Sequence, residues 1–253
     1  MAKQAGIIKL EGTIGDISFY KSKNGFIARE KGGIDPRRIA QDPAFKRTRE
    51  NGKEFGEVAR SSRYIRQNLR KLLQNTADSR TSNRLTSVLF GIIKTDTTGA
   101  RGERRVKFGD LTLLKGFNFN EKTPLERTLL EPLGCILNRN AGSCTLSLPA
   151  IQPKTDIGAP GGATHLHWLA GVLVFDPDLT EPNVAVYESE KLELGESNWQ
   201  ARSIELTLNP VGTAGVLVVF GLAFSQELNG QFYPMSNGSS NSLAVIEVLP
   251  AQN

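Results

Sequence analysis

Histidine, cysteine, tryptophan and methionine each occur only twice in the 253 residues. Two cysteines, Cys135 and Cys144, are too few for a disulfide framework of the kind that staples small secreted domains. Two histidines leave no Cys/His cluster with the spacing of a structural zinc site. No window approaches 18 consecutive apolar residues, so no membrane span is expected. The opening MAKQAGIIKLEGTIGDISFY has neither a continuous apolar core nor a small-residue cleavage site, and no secretory signal is read from it. No nucleophile, phosphate-binding or metalloenzyme motif is present. These absences point to a cytoplasmic protein, or one in a particle assembled there, without a cofactor and without an enzymatic role.

What is present is an ordinary hydrophobic fraction of 39% and a charge distributed unevenly along the chain. Residues 1–110 hold 24 lysines and arginines against 12 carboxylates, whereas residues 111–253 hold 7 against 14. Such asymmetry suits either a polyanion bound by the basic part or complementary contacts between copies of the chain.

The first 33 residues have strand character, in AGIIKLEG, GDISFYKS and GFIARE. The Asn24-Gly25 pair between FYKSK and FIARE is a hairpin signal, because both residues tolerate the positive φ of a type I′ turn. A hairpin alone is marginal in water and needs a surface to pack on. Ile8, Phe19, Tyr20, Phe26 and Ile27 are the side chains expected to supply that contact.

Asp42-Pro43 then starts a helix, with a capping carboxylate followed by proline in the first turn. Phe45, Thr48, Gly52, Phe55, Ala59, Ser62, Ile65, Leu69 and Leu72 recur at spacings of three or four, with a kink expected at Asn51-Gly52. A second helix is expected from Asp78 to about Lys94, facing inward with Leu85, Val88, Leu89 and Ile92. TDTTGARGERR is polar, glycine-bearing and basic, and reads as a loop or a boundary. Two short strands are expected within Val106–Phe119, and a helical turn in TPLERTLLEPLG.

Beyond it the pattern is β. TLSLPA, ATHLHWLAGVLVFD, NVAVYESEKLEL, ARSIELTLN, AGVLVVFGLAFSQ and SLAVIEVL are separated by turn residues such as Asn209-Pro210 and Asn229-Gly230. AGVLVVFGLAFSQ is apolar on both faces and belongs at the centre of a sheet. The expected fold class is α+β: an N-terminal β-hairpin arm (1–33), a basic helical segment (34–105) and a C-terminal antiparallel β-sandwich or barrel (106–253).

Several groups carry possible chemistry. His165 and His167 sit two apart on one strand face, as a pair of metal ligands would, with Asp176 or Glu188 as a third; the plainer reading is two histidines on a half-exposed strand. Cys135 and Cys144 lack an adjacent base and read as ordinary small side chains. GAPGGATH is glycine-rich but leads into a strand, whereas a phosphate cradle must open a helix. Trp168 and Trp199 are candidates for a carbohydrate or substrate surface, with nothing in the sequence to bring them together. Arg60, Arg63, Arg66, Arg70 and Lys71 suit contacts with a polyanion. The interleaved Glu50, Glu54 and Glu57 make ion pairs equally natural.

GIIKLEGTIGDISFYKSKNGFIAREKGG, DPAFKRTRENGKEFGEVARSSRYIR and the late FGLAFSQELNGQFYPMSNGSSNSLAVIEVL resemble the corresponding parts of a family of Bacteroidota proteins that has no assigned activity. The resemblance covers most of the chain and implies no catalytic or binding residues. The functional expectation therefore rests on architecture: a non-enzymatic structural protein that assembles with copies of itself into a phage-like shell, tube or filament, its arm adding strands to a neighbour. The alternative is a nucleic-acid-binding protein using the basic helices.

Overall fold

A computed structural model of the chain describes residues 2–23, 25–30, 33–195 and 197–252. The chain forms two compact units, Met1–Arg49 and Glu50–Asn253. The fold is α+β, and every strand pairing among the described residues is antiparallel.

In the first unit, β1 (Ala2–Lys3), β2 (Gly12–Ile14), β3 (Ile17–Ser22) and β4 (Gly25–Glu30) form one sheet in the order β1-β4-β3-β2. The expected hairpin is β3–β4. Asn24 of its turn lies outside the described residues, while Gly25 has a φ of +102°. The stretch AGIIKLEG is not a strand. The Gln4 side chain accepts from the Leu10 N–H at 2.8 Å and the Lys9 ammonium reaches the Gln4 carbonyl, closing residues 4–10 into a loop. Helix α1 (Pro36–Gln41) follows, with Asp35 accepting from the Arg37 N–H.

Helix α2 (Lys46–Asn68) runs unbroken past Asn51-Gly52. Gly52 is exposed, and its cost of about 1 kcal/mol relative to alanine is outweighed by the inward-facing Val58 and Ile65. The break comes at Leu69 instead, where φ is −95° and ψ is 12°, before α3 (Arg70–Leu73). The buried stripe is Glu54, Val58, Ser61, Ser62 and Ile65, so Phe55 stays exposed. Helix α4 (Thr81–Ile92) presents Leu85, Leu89 and Ile92 to the core. Asp78 holds its start, accepting from the Arg80 N–H at 2.7 Å and pairing with Arg84 at 2.6 Å. Burial works against that carboxylate, yet backbone N–H groups of Glu121 and Arg80 together with Arg84 hold its pKa down at about 2.

Val106–Phe119 contains 3₁₀ turns at Val106–Phe108 and Leu111–Leu114 in place of the two expected strands. Val106, Leu111 and Leu114 are all fully buried. Their spacings of five and three, with the Asp110 carboxylate accepting from the Thr112 N–H at 3.0 Å, suit tight turns better than the strict alternation a strand requires. One-turn helices α5 (Leu125–Thr128) and α6 (Pro153–Asp156) follow on either side of a hairpin.

The remaining strands make two sheets. β5 (Gly134–Asn138), β6 (Ser143–Leu148) and β10 (Arg202–Thr207) form a three-stranded sheet in the order β10-β6-β5. β7 (His165–Phe175), β8 (Val184–Glu188), β9 (Leu192–Glu193), β11 (Gly215–Leu228), β12 (Gln231–Pro234) and β13 (Ser242–Leu249) form the other. At its centre β7 and β11 pair along eleven residues, from Gly215↔Phe175 to Ser225↔His165. Asn229 and Gly230 close the β11–β12 hairpin with φ of 53° and 77°, the left-handed pair a type I′ turn requires.

Alternation along the central pair sorts its side chains into two cores. Leu169, Leu173, Phe175, Leu217 and Val219 meet Ile65, Leu69, Leu72, Leu85 and Leu89 of the helices. Trp168, Val172, Val174, Val218, Phe220 and Leu222 meet Leu146, Leu148, Ile204 and Leu206 of the three-stranded sheet. Helices, central sheet and outer sheet are therefore three layers around two apolar interiors. A bulge between Val218 and Val219 shifts the register of β13. It places Val248 with Leu243 and Val245 in the helix-side core. Strict alternation would have sent Glu247 there, and a lone buried carboxylate is costly; Glu247 pairs with Lys115 at 2.7 Å instead.

Gly171 lets the helices close on the sheet. A Cβ there would sit 2.8 Å from Leu72 Cδ1 and 3.1 Å from Val219 Cγ2. Gly171→Ala is expected to destabilise the protein by about 1–3 kcal/mol through overpacking, read as a lowered midpoint in urea unfolding.

Candidate functional site

The register of the N-terminal sheet separates its side chains. Ile14 lies opposite Ile17, Ile17 opposite Glu30, Phe19 opposite Ala28 and Lys21 opposite Phe26, so Ile14, Ile17, Phe19, Phe26 and Ala28 share one face, with Lys21 and Glu30 at its margins. Tyr20 lies opposite Ile27 and Ser18 opposite Arg29, on the other. The five expected arm contacts are thus not one surface. Phe19 and Phe26 belong to the apolar face and Tyr20 and Ile27 to its reverse, while Ile8 sits on the loop of residues 4–10 with 80% of its surface exposed. Ile14 and Ile17, which sequence reading missed, complete the apolar face and are 63% and 46% exposed. They were legible only through the β2–β3 register. The Lys9 and Lys21 ammonium groups lie 6.0 and 5.7 Å from the Phe26 ring centre, and the Arg29 guanidinium lies 5.4 Å from that of Tyr20. Cations therefore border both faces. No described residue of Met1–Arg49 is buried.

The basic residues of the second unit divide along the helix. Arg60 pairs with Glu57 and, at 3.2 Å, with Asp178. Lys71 lies 3.8 Å from Glu188. The downstream cluster is tied in as well. Arg104 meets the buried Glu54 at 2.8 Å, Arg105 bridges Glu57 and Asp178, and Lys107 reaches Asp176 and Asp178 at 3.1 and 2.8 Å. Hydrogen bonds from Lys107 and Arg105 hold the Asp178 carboxyl below its ordinary range. Arg63, Arg66 and Arg70 are different. They follow one another at helical spacing and have no acidic partner among the described residues, and Arg66 Nε is buried without a hydrogen bond. A stripe of three unpaired guanidiniums remains where sequence reading expected five equivalent cations.

The other candidates separate. His165 lies 3.5 Å from Glu227 and meets the Phe232 ring edge-on at 4.9 Å. His167 Nδ1 is buried without a partner, and burial pushes the imidazole below its ordinary pKa, with Glu188 opposing and Lys191 adding to the shift. Among the described residues no three His, Cys, Asp or Glu side chains converge as a metal site would need. Cys135 and Cys144 are free thiols on the paired strands β5 and β6. The hydrogen bond to Cys135 and burial together push the Cys144 thiol far up, so it stays protonated. The glycine-rich segment turns at Gly161-Gly162 directly into β7. Trp168 and Trp199, unrelated in sequence, meet edge-to-face at 5.7 Å.

No helix among the described residues is long and apolar enough to cross a membrane. No protein-family model matches the chain, and no curated protein is significantly similar to it.

The half-buried His167, whose Nδ1 has no partner, sets a pH dependence. Its folded-state pKa lies below the ordinary value of about 6.5, so the unfolded chain binds more protons and stability falls as pH drops through that value. Unfolding midpoints measured across pH 7.5–5 are expected to decline less steeply in His167→Gln than in the parent.

Proposed function

We propose that the chain is a non-enzymatic structural subunit that assembles with copies of itself into a shell, tube or filament, through its N-terminal sheet. The observation that carries this reading is the face that holds Ile14, Ile17, Phe19, Phe26 and Ala28, of which Ile14 and Ile17 are exposed and the other three only half-buried. A small sheet needs a surface on which to bury its apolar side, and contiguous exposed apolar patches mark interaction sites. Charge selects the occupant. Residues 1–49 carry 11 lysines and arginines against 5 carboxylates, whereas the strand-rich residues 111–253 carry 7 against 14. Two copies of the first segment repel, so the favoured cover is the acidic strand region of a second copy. A head-to-tail contact of this kind closes into rings or runs on as a filament.

A second reading is supported by the stripe of Arg63, Arg66 and Arg70, whose guanidiniums suit phosphate oxygens. It makes the chain a nucleic-acid-binding protein that uses α2 and α3.

Light scattering on the nuclease-treated protein separates the two. Assembly predicts a defined multiple of 27.6 kDa that collapses to monomer in Ile17→Glu and Phe19→Glu, with the thermal transition of the Glu50–Asn253 unit unchanged. A monomer at every concentration overturns it. Nucleic-acid binding predicts that log K falls linearly with log salt, with the slope shallower by about 0.9 for each phosphate contact removed in Arg63→Gln, Arg66→Gln and Arg70→Gln. Salt-insensitive or absent binding overturns that alternative.

A further inference from the structure

The chain's two tryptophans line one cleft. It opens at an end of the second unit, between the central and outer sheets, and has a volume of about 390 Å³. Trp168 and Leu192 come from the central sheet. Leu148, at the end of β6, and Arg202, at the start of β10, come from the outer one. The segment before β10 is fixed in place by a two-way bridge, with Ile151 N–H donating to the Trp199 carbonyl at 3.0 Å and Trp199 N–H donating back at 2.8 Å. Trp168 is set from behind, stacked on Phe220 at 5.7 Å with 28° between the rings. The indole of Trp199 stands perpendicular to it. Trp168 keeps only 2% of its surface exposed and forms the floor of the cleft, whereas Trp199 is half-buried and forms its aromatic wall; both are held in place by contacts already made in this structure, a condition that lowers the ordering cost of binding.

Charge among the described lining residues is confined to one group. Arg202 is the only ionised side chain among the described lining residues, and the ion pair it makes among the described residues, Nη1 to Glu190 Oε1 at 2.6 Å, lies with an exposed carboxylate. A guanidinium has five N–H donors in a planar fork, so the pair with Glu190 leaves donors to spare. Apolar and aromatic walls with one placed cation are the composition of a small-molecule site, and the volume falls in the range of about 300–1,000 Å³ typical of such sites.

We propose that this cleft binds a small planar aromatic anion, its ring lodged against Trp199 and Leu192 over the buried Trp168 and its carboxylate or sulfonate turned to Arg202. Edge-to-face and offset contacts favour an aromatic ring over an aliphatic one of equal area. A planar oxyanion matches the guanidinium fork. The inference is independent of how the chain assembles.

The test uses the full chain labelled with 5-fluorotryptophan, whose two ¹⁹F resonances report the floor and the aromatic wall and nothing else. The probe is 1-naphthoate, with uncharged naphthalene-1-carboxamide beside it. Both resonances are expected to shift saturably with naphthoate. Arg202→Gln is expected to weaken binding by about fivefold, the upper end for an exposed ion pair, and to leave the carboxamide unaffected. Ala201→Phe, which fills the mouth without removing core atoms, is expected to abolish both responses. Resonances that do not move up to the solubility limit overturn the proposal. So does naphthoate binding that neither Arg202→Gln nor Ala201→Phe changes, with both variants giving the parent's unfolding curve.

Discussion

The pairing of β7 with β11 is the constraint from which the rest of the second unit follows. Eleven residues of each strand run side by side, and nearly every side chain on both faces is apolar. Such a pair cannot face water on either side. One face requires the helices and the other requires the outer sheet, so the three layers are consequences of one two-faced ribbon. The turns between Val106 and Phe119 fit the same scheme. Gly116 and Phe119 donate to Val245 and Leu243 on the outer side of β13, which gives the edge strand backbone partners it would otherwise lack.

The polar loop after α4 shows how a charged segment is held against this framework. Asp96 accepts from the N–H groups of Thr98, Gly99 and Arg105, and Glu54 accepts from Gly102 N–H and the Arg104 guanidinium. A carboxylate buried to 3% exposure, as Glu54 is, stands only because two donors converge on it. Arg104 is here the partner that makes a buried acid tolerable, an ion pair of the kind the interleaved glutamates led one to expect though with an arginine from outside the helix.

What the sequence made legible was what short-range pattern encodes. The β11 run, the alternation of Ile204, Leu206 and Leu208, the helix carrying Leu85 and Leu89, and the Asn229-Gly230 turn are local signals, and the structure contains each. What escaped depends on distant partners. The weak first half of α2 is kept helical past Gly52 by packing that no propensity scale contains. The β13 bulge answers the position of Glu247 relative to a core assembled from elsewhere in the chain. Phe19 and Tyr20 are adjacent in sequence and were grouped together, yet adjacency in a strand puts neighbours on opposite faces. Trp168 and Trp199 met only because a bridge from Ile151 brings the second to the first.

Counted by compact unit, the charge changes its meaning. Residues 50–253 hold 20 lysines and arginines against 21 carboxylates, and the excess of 11 over 5 belongs to residues 1–49. Within the larger unit, cations such as Arg60, Arg105 and Lys107 are spent at short range on Asp176 and Asp178. That unit is nearly neutral as a whole, but its charge is divided, with a basic stretch over residues 50–110 and an acidic one over residues 111–253. The net positive charge of the chain then lies in its N-terminal segment. Were that segment to meet a negatively charged surface, ionic strength would act on how fast the two find each other, while how long they stay together would be decided by whatever apolar surface the encounter brings together.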